Sequence, residues 1–535
     1  MGCFRPTGRF PSAWRCAILV AGMALAGLAS GARAQAWLAA DGEWRTAGGT
    51  LADTHGTPLA WQIRPGNAAT LRQKWVFTTT GDVSATPTVE GMAVYVPDWG
   101  GVLYRLDAGT GNPVWSRRLS DYTGNPNSLT RNSPAITQRT IIVGDEASAT
   151  VMAIDKATGQ LVWRTLVDPL PAALITASPT VLGGLVYVGV SSVEEGLAQL
   201  RTGYVPSFRG TIAALDVQTG RLVWSFRTVP AGYTGGAVWS SSFAIDVARG
   251  SLYATTGNNY TVPAAVTTCL QHAGTAEAQS ACLAPDNYID AIVALDLFTG
   301  TVKWGRRMIG FDTYVNSCIV SPAKGIPCPD PAGPDYDFGA GANLFTTTSG
   351  GQLIDTVGAG QKSGVYWALD PDTGATRWAT QVGPGGGAGG IMWGTAADGA
   401  RVYVAINDSG GVPYGLGPSG VQQWKAGSWA ALDAATGKIL WQIPATGHNP
   451  LNPALGAGAL GALSIANGVL YAGSMSGDMV ALDAASGGIL WQFASGGSVI
   501  CGPSIADGTV FWGAGYRRFG TGSDKIYAFT VPNTW

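Results

Sequence analysis

The sequence predicts an all-β fold, an eight-bladed β-propeller, and three observations support this prediction. A motif in which Gly follows Asp by four residues and Trp follows it by eight recurs seven times along the chain. The 535 residues include 77 Gly and 20 Trp. An eighth copy of the motif is divided between the two ends of the chain. Because Gly supplies the positive φ of tight turns and Trp packs between sheets, this composition is typical of many short strands.

Each copy of the motif reads as a β-hairpin. In the first copy an alternating apolar run ends at Asp107, Gly111 follows in the turn, and Trp115 lies on the returning strand. We expect the carboxylate to cap the turn, the Gly to be left-handed, and the Trp to fill the wedge between neighbouring sheets. The seven Trp positions, 48 to 80 residues apart, are Trp115, Trp163, Trp224, Trp304, Trp378, Trp441 and Trp491. These intervals suffice for one four-stranded blade with its loops.

The divided eighth copy predicts how the ring closes. Ile526-Tyr527-Ala528-Phe529 occupies the inner hairpin position without its Trp, and Lys74-Trp75-Val76-Phe77 has a Trp without its Asp. Pairing of these terminal strands would complete an eighth blade and remove exposed sheet edges. The sequence therefore predicts one propeller domain over residues 35–535.

The first 34 residues have the pattern of a secretory signal peptide. Arg5, Arg9 and Arg15 precede an apolar run at 17–29, and Ala32-Arg33-Ala34 matches a signal-peptidase site. About 13 apolar residues are too few for a membrane span, which needs ~20. We expect a mature chain that starts at Gln35, has no membrane span and is periplasmic or secreted.

Charge and cysteine content narrow the range of functions that the sequence allows. With a net charge of −2, 12% charged residues and no basic block, the chain is not expected to bind nucleic acid. In an oxidising compartment Cys269 would pair with Cys282 and Cys318 with Cys328, leaving Cys501 as a buried free thiol. No Cys-x-x-Cys-His sequence exists, which excludes a covalent c-type haem on this chain.

The three histidines, His55, His272 and His448, fall outside every candidate site in the sequence. Histidine zinc centres and Ser-His hydrolysis both need a histidine within the site. We therefore do not expect either chemistry.

The repeat and three motifs resemble those of the pyrroloquinoline quinone (PQQ)-dependent alcohol dehydrogenases, and in detail those of their polyvinyl alcohol dehydrogenase branch. The motifs are Val238-Trp239, the run Tyr253-Ala254-Thr255-Thr256-Gly257-Asn258, and Tyr336-Asp337-Phe338. The resemblance covers roughly residues 40 to 535. It implies that PQQ lies on the propeller axis with Ca²⁺ bound to it, and that the enzyme oxidises a secondary or polymeric alcohol to a ketone.

The resemblance also assigns roles at the metal. Trp239 would stack on the quinone, and the amide oxygen of Asn258 would bind calcium. Glu194 would be the calcium-binding carboxylate, with Glu195 as an alternative. Asp337 would bind the metal and act as the general base, with Asp335 as its alternative.

Further residues would hold the cofactor. Lys362 matches the position of a cation placed against the quinone oxygens, and Arg131 that of an Arg on a PQQ carboxylate. Thr176, Ser191 and Trp393 would also contact PQQ. Family members that use a lanthanide resemble one another in placing a further Asp two residues after the base. This chain has Gly339 there, which favours calcium.

Two departures from the family bear on electron transfer and on the cofactor site. The adjacent cysteines that often cover the quinone are absent, and so is the haem domain of some relatives. Electrons would then pass to a separate acceptor such as a cytochrome c. The alternative is a non-catalytic binding scaffold, similar to the outer-membrane assembly lipoproteins that share this repeat, although Ala34-Gln35 offers no lipoprotein cysteine. The joint presence of Trp239, Asn258, Asp337 and Lys362 favours the enzyme.

Overall fold

The computed structural model describes residues 43–57, 59–201, 203–239, 242–318 and 328–532. The predicted signal peptide lies outside the described residues. The described chain forms eight antiparallel four-stranded blades around a central axis, as the repeat predicts. Each blade begins with an inner strand, which has two or three residues in every blade except blade 5, and ends with an outer strand that carries the motif Trp.

The blades are numbered in chain order, and the first four are made of consecutive strands except for short insertions. Blade 1 consists of Thr88–Glu90, Ala93–Pro97, Val102–Asp107 and Pro113–Arg118. Blade 2 consists of Ala135–Ile136, Thr140–Gly144, Thr150–Asp155 and Leu161–Leu166. Blade 3 consists of Thr180–Leu182, Leu185–Ser192, Thr211–Asp216 and Leu222–Arg227, with Ala173–Leu174 added to its second strand. Blade 4 consists of Ala244–Asp246, Ser251–Thr255, Ala291–Asp296 and Val302–Arg307.

The last four blades follow the same pattern. Blade 5 consists of Asn343–Ser349, Gln352–Gly360, Val365–Leu369 and Thr376–Gln381. Blade 6 consists of Ala396–Ala397, Arg401–Ile406, Ser428–Asp433 and Ile439–Pro444. Blade 7 consists of Ser464–Ala466, Val469–Gly473, Asp478–Asp483 and Ile489–Ala494. Blade 8 consists of Ser504–Ala506, Thr509–Gly513, Lys525–Thr530 and Arg72–Thr78.

Blade 8 joins the two ends of the chain. Its outer strand, Arg72–Thr78, comes from the start of the domain and pairs antiparallel with Lys525–Thr530, the last strand. Trp75 lies opposite Ala528 in that ladder. The predicted closure is therefore confirmed, and blade 8 has no unpaired edge where the two ends of the chain meet.

The repeat motif holds neighbouring blades together. Gly300 of blade 4 has a φ of 69°, and a Cβ at this position would lie 2.5 Å from a ring carbon of Trp224 of blade 3. The indole N–H of Trp224 donates to the carbonyl of Leu297 at 3.0 Å. Asp296 caps the turn by accepting the backbone N–H of Thr299 at 3.0 Å. The roles predicted for Asp, Gly and Trp are confirmed, and the Trp of one blade covers the Gly of the next.

Residues 43–57, which we call the axial strap, cross one end of the ring. Glu43–Trp44 pairs with blade 1, and Gly56–Thr57 pairs in parallel with blade 7. Between them the carbonyls of Leu51, Ala52 and Thr54 accept N–H groups from the inner strands of blades 4 and 5 and the start of blade 6, at 2.7 to 2.9 Å. Since inner strands of so many blades converge only at the axis, the strap closes that end of the ring.

The remaining elements are short insertions. The small hairpins are Thr234–Gly235 with Asn259–Thr261, Tyr414–Leu416 with Gln422–Trp424, and His448–Asn449 with Asn452–Gly456. The described helices are Pro65–Ala68, Leu119–Thr123, Glu194–Leu200, Ala264–Leu270 and Ala276–Cys282. None of the helices in the described ranges has the length and apolar character of a membrane span.

The predicted cysteine pairing is confirmed. Disulfides join Cys269 to Cys282 and Cys318 to Cys328, and Cys501 is a buried free thiol. Both disulfides lie in insertions, the first before the third strand of blade 4 and the second between blades 4 and 5. Burial raises the pKa of Cys501 to about 12, so the thiol stays protonated and unreactive.

Candidate active site

A cavity of about 420 Å³ opens at one face of the ring. Side chains from loops of many blades line it, which places it on the propeller axis. Six of the nine predicted site residues are among them: Arg131, Ser191, Trp239, Asp337, Lys362 and Trp393. These six residues, which are up to 262 positions apart in the sequence (131 to 393), thus converge on one chamber.

The centre of the cavity wall is a buried network around Lys362. Its ammonium lies 2.9 Å from Asp335 Oδ1 and forms a second ion pair with Asp337. The indole N–H of Trp239 donates to the other oxygen of Asp337, and Lys362 Nζ lies 5.1 Å from the centre of the Trp239 ring. Burial lowers the pKa of Lys362, but the charges of Asp335 and Asp337 outweigh it and raise that pKa well above its ordinary value. Lys362 is therefore a fixed cation.

The same region holds more carboxyl groups than Lys362 can neutralise. Burial, and then the charge of Asp337, raises the pKa of Glu195 to about 8. Burial raises the pKa of Asp312 to about 7 and that of Asp290 well above its ordinary value. Both carboxyl oxygens of Asp290 lie buried without a hydrogen-bond partner. A bound cation would remove the cause of these raised pKa values and allow the acids around Lys362 to ionise.

Asn258 lies behind this network with its side chain held in place. Its amide nitrogen donates to the carbonyls of Asn259 and Tyr314 at 3.0 and 2.9 Å. Because both N–H groups have carbonyl acceptors, the amide oxygen remains as an acceptor or a metal ligand. The preceding residue, Gly257, brings the backbone close to Asp337: a Cβ there would lie 3.0 Å from Oδ2.

The two consecutive glutamates have different surroundings. Glu194 is fully buried and accepts hydrogen bonds from Tyr204 Oη at 2.9 Å and from the backbone N–H groups of Ser207 and Phe208 at 2.9 and 2.7 Å. Its carboxylate therefore fastens the insertion at 203–208 and does not line the cavity, whereas Glu195 does. Neighbouring residues at the start of a helix point about 100° apart, so only one of the two can face the cavity.

Two Trp residues form the aromatic part of the wall. The ring of Trp393 meets that of Trp239 edge-on, with centroids 5.3 Å apart and planes at 78°. The guanidinium of Arg131 lies 4.9 Å from the Trp393 ring and its Nε lies 3.6 Å from a carboxylate oxygen of Glu146. Trp393 has a φ of 52°, which a bulky residue rarely adopts. A strained backbone next to a cavity is typical of a functional position.

Thr176 and His55 line a second, smaller cavity of about 50 Å³ that shares Arg131, Trp239 and Trp393 with the first one. The Thr176 hydroxyl donates to the carbonyl of Trp239 at 3.4 Å. The prediction that His55 lies outside the site is wrong, because the axial strap carries this residue to the axis beneath the Trp pair. His55 Nε2 is 3.6 Å from Asp53 Oδ1. Burial lowers the pKa of His55 to about 4 and raises that of Asp53 to about 8, so both groups are neutral near pH 7.

Asp312 and Asp290 were not predicted from the sequence. Asp312 accepts the backbone N–H groups of Asp335 and Tyr336 at 3.2 and 2.6 Å, so it shapes the loop that carries Asp337. The only available signal was the proximity of Asp312 to the Asp-rich loop in the sequence. Asp290 directly precedes the third strand of blade 4, Ala291–Asp296, and nothing in its sequence neighbourhood distinguishes it from a turn residue.

Comparisons with known proteins agree with this architecture. The family model described as "Outer membrane protein assembly factor BamB" matches residues 46–205 and 425–529. The crystal structure of quinohemoprotein alcohol dehydrogenase from Comamonas testosteroni superposes with a TM-score of 0.68 at 21% identity, over 91% of this chain and 80% of that one. The fold is therefore that of the PQQ-type β-propeller proteins.

Relatives found by sequence comparison add to what the fold shows. The polyvinylalcohol dehydrogenase of Sphingopyxis sp. (strain 113P3) is 30% identical over 76% of this chain and 60% of its own length. That of Pseudomonas sp. is 31% identical over 79% of this chain and 63% of its own length. The chain is thus a homologue of the polyvinyl alcohol dehydrogenases, as the motifs indicate. It spans somewhat less than two thirds of the length of these relatives.

Proposed function

We propose that this protein is a periplasmic or secreted, PQQ- and Ca²⁺-dependent alcohol dehydrogenase that passes electrons to a separate acceptor such as a cytochrome c. The observation that carries the proposal is the Trp239–Asp337–Lys362 network in the wall of the axial cavity. It combines an aromatic ring, a carboxylate and a permanently charged cation at one place. A binding scaffold has no need to bury such a combination.

The residues present fit PQQ. The cavity volume suits a small rigid heterocycle and a substrate. Trp239 offers an aromatic surface, Lys362 a cation for the quinone oxygens, and Arg131 a donor for a carboxylate. The Nε of Arg131 is buried and makes no hydrogen bond, although it is ion-paired with Glu146 at 3.6 Å, so it could still donate to such a group. Thr176, Ser191 and Trp393 would complete the contacts.

The donor set also fits one calcium ion. Within the described ranges no three His, Cys, Asp or Glu side chains are grouped to hold a metal by themselves, so an amide would have to contribute. We assign the ligands to Glu195, Asn258 and Asp337, with Glu195 in place of Glu194, because the carboxylate of Glu194 is taken up by the 203–208 insertion. A Cβ at Gly339 would lie 2.8 Å from Met392 Sδ and 2.9 Å from Trp239, which leaves no room for the further Asp that a lanthanide site would use.

The chain's own residues would control the proton and the charge. PQQ would supply the acceptor for the hydride of the carbinol carbon, and Ca²⁺ a Lewis acid beside it. Asp337 would accept the hydroxyl proton, with Trp239 fixing the orientation of its carboxylate. Lys362 would hold positive charge next to the reacting groups without giving up its proton, because its pKa is raised well above its ordinary value.

Relatives named for polyvinyl alcohol favour a secondary or polymeric alcohol as the substrate of this chain. The description of the matching family model favours a second candidate function, a binding scaffold of the outer-membrane assembly type. That scaffold would have no use for PQQ, so cofactor binding separates the two.

The test is reconstitution of the purified apoprotein with PQQ and Ca²⁺. We expect a PQQ-dependent rise in Tm and reduction of an artificial dye with secondary alcohols. Asp337→Asn should keep the rise in Tm and lower turnover by about 10²–10⁴-fold. Asp524→Asn, a half-exposed acid outside the cavity lining, is the matched control and should retain turnover. Absence of any PQQ-dependent change in Tm would refute the enzyme and favour the scaffold, and full activity of Asp337→Asn would place the base elsewhere.

A further inference from the structure

The axial cavity has a polar side and an apolar side. Glu195 belongs to blade 3. Asp337 lies just before the first strand of blade 5, and Lys362 lies in the loop between its second and third strands. The other half of the ring contributes a group of apolar lining residues: Leu460 before blade 7, Met475 in blade 7 and Tyr516 in blade 8. In a ring of eight, blades 3 and 7 face each other across the axis. A ligand that fills the cavity therefore meets the predicted acids on one side, and on the other a largely apolar surface that also holds Arg518.

The apolar side continues outward to two exposed side chains at the cavity mouth. Leu451 is 74% exposed and Phe519 is 52% exposed, and both line the same cavity as Asp337. Large apolar side chains held in water at the edge of a cavity are typical of a binding surface. We call Leu451 and Phe519 the apolar rim.

Hydrogen bonds fix the backbone of both rim residues. The side-chain oxygen of Asn449 accepts the N–H groups of Leu451 and Asn452 at 2.8 and 3.1 Å, which sets the hairpin turn.

The Phe519 loop is anchored at both ends by one carboxylate. Asp82, 1% exposed, accepts the N–H of Arg517 at 2.7 Å and that of Ser523 at 2.9 Å. The Phe519 ring packs on Tyr516 with centroids 5.8 Å apart. A preorganised loop loses little conformational entropy on binding, so its apolar contacts contribute to affinity.

We propose that the apolar rim binds the hydrocarbon substituent of the alcohol whose hydroxyl lies at Asp337. The subsite selects secondary alcohols with long alkyl substituents over short ones. This inference rests on the proposed function and assigns it a specificity determinant, the pair Leu451 and Phe519. The occupant follows from continuity, because the rim and the predicted base line one cavity.

The test is a chain-length series with the PQQ- and Ca²⁺-loaded protein: 2-propanol, 2-butanol, 2-hexanol and 2-octanol. We expect kcat/KM to rise by about two- to fourfold for each methylene that reaches the rim, since burying a methylene stabilises the complex. In the double variant Leu451→Ala/Phe519→Ala we expect a loss of about tenfold for 2-octanol, and a loss that shrinks as the chain shortens. Leu353→Ala, which truncates an apolar residue of blade 5 that is 53% exposed and outside the cavity lining, should keep the full slope.

Binding of the product ketones gives a readout without turnover. The rise in Tm of the loaded protein should be larger with 2-octanone than with 2-butanone, and the double variant should remove that difference. Equal slopes in the wild type and the double variant would overturn the proposal. A loss that is the same for all alcohols and depends on acceptor concentration would also overturn it, and would assign the rim to the electron acceptor. The PQQ-dependent Tm shift and oxidation of 2-propanol report separately on the proposed function.

Discussion

Replacing Gly300 by Ala tests how the blades are held together. The residue has a φ of 69°, and a left-handed conformation costs a residue with a Cβ about 1–2 kcal/mol. The new Cβ would also lie 2.5 Å from Trp224 Cε3, so the indole must move, and overpacking of this kind costs about 1–3 kcal/mol. Movement of the ring breaks the hydrogen bond to Leu297 O, for about 1 kcal/mol more. We expect a total loss of about 4 kcal/mol in the free energy of unfolding.

Gly183 provides the matched control for this substitution. It has a φ of 58°, but no atom lies within 4 Å of the position that its Cβ would take. Gly183→Ala should therefore cost only the conformational part, about 1–2 kcal/mol. Urea unfolding followed by tryptophan fluorescence would measure both variants. Equal losses for Gly300→Ala and Gly183→Ala would refute the argument that the Trp of one blade requires Gly in the next.

Two further predictions concern the site and the strap. Glu195→Gln should raise the Ca²⁺ concentration for half-maximal reconstitution at least tenfold. Glu194→Gln should leave that concentration unchanged and destabilise the fold by about 2 kcal/mol. An equal rise in the half-maximal Ca²⁺ concentration for both variants would contradict our assignment of the ligand. The pKa of Asp53 is raised to about 8, so between pH 4 and 8 the folded chain keeps a proton that the unfolded chain has released. The free energy of unfolding therefore falls as the pH rises, by at most about 1.4 kcal/mol per pH unit. The pKa of His55 is lowered to about 4, so between pH 4 and its ordinary pKa of 6.5 the unfolded chain holds the extra proton. His55 therefore makes the free energy of unfolding rise with pH over that range. Asp53→Asn should therefore flatten the fall in stability between pH 6.5 and 8, and unfolding curves whose pH dependence matches that of the wild type would exclude Asp53 as its source.

The fold was predictable because the repeat encodes its own contacts. Asp296, Gly300 and Trp304 mark a hairpin by local turn chemistry, and the same spacing marks the next one. The ring closure was also predictable, because the strand of Trp75 has the motif Trp without its Asp, and the strand of Phe529 has the inner hairpin position without its Trp. The axial strap was not, because residues 43–57 have no repeat and bind several blades mainly through their backbone, which leaves no pattern in side-chain order.

The site was predictable only where a motif fixes a residue type. Trp239, Asp337 and Lys362 stand in such motifs, and the structure brings them into one cavity wall. The choice between Glu194 and Glu195 depends on which side of a helix each residue faces, and that depends on the long insertion that binds Glu194. His55 and Asp290 become neighbours of the site only through the packing of distant segments, which no local spacing can reveal.

The closure of blade 8 also determines when a working site can exist during biogenesis. The outer strand of this blade, Arg72–Thr78, is synthesised before the other seven blades, and its partner Lys525–Thr530 is synthesised after them. Until then blade 8 lacks its other strands, and the cavity lacks the side that holds Tyr516 and Phe519. Formation of the chamber therefore has to wait for the last strand of the propeller, and a chain exported as proposed would acquire any cofactor only after that strand has crossed the membrane.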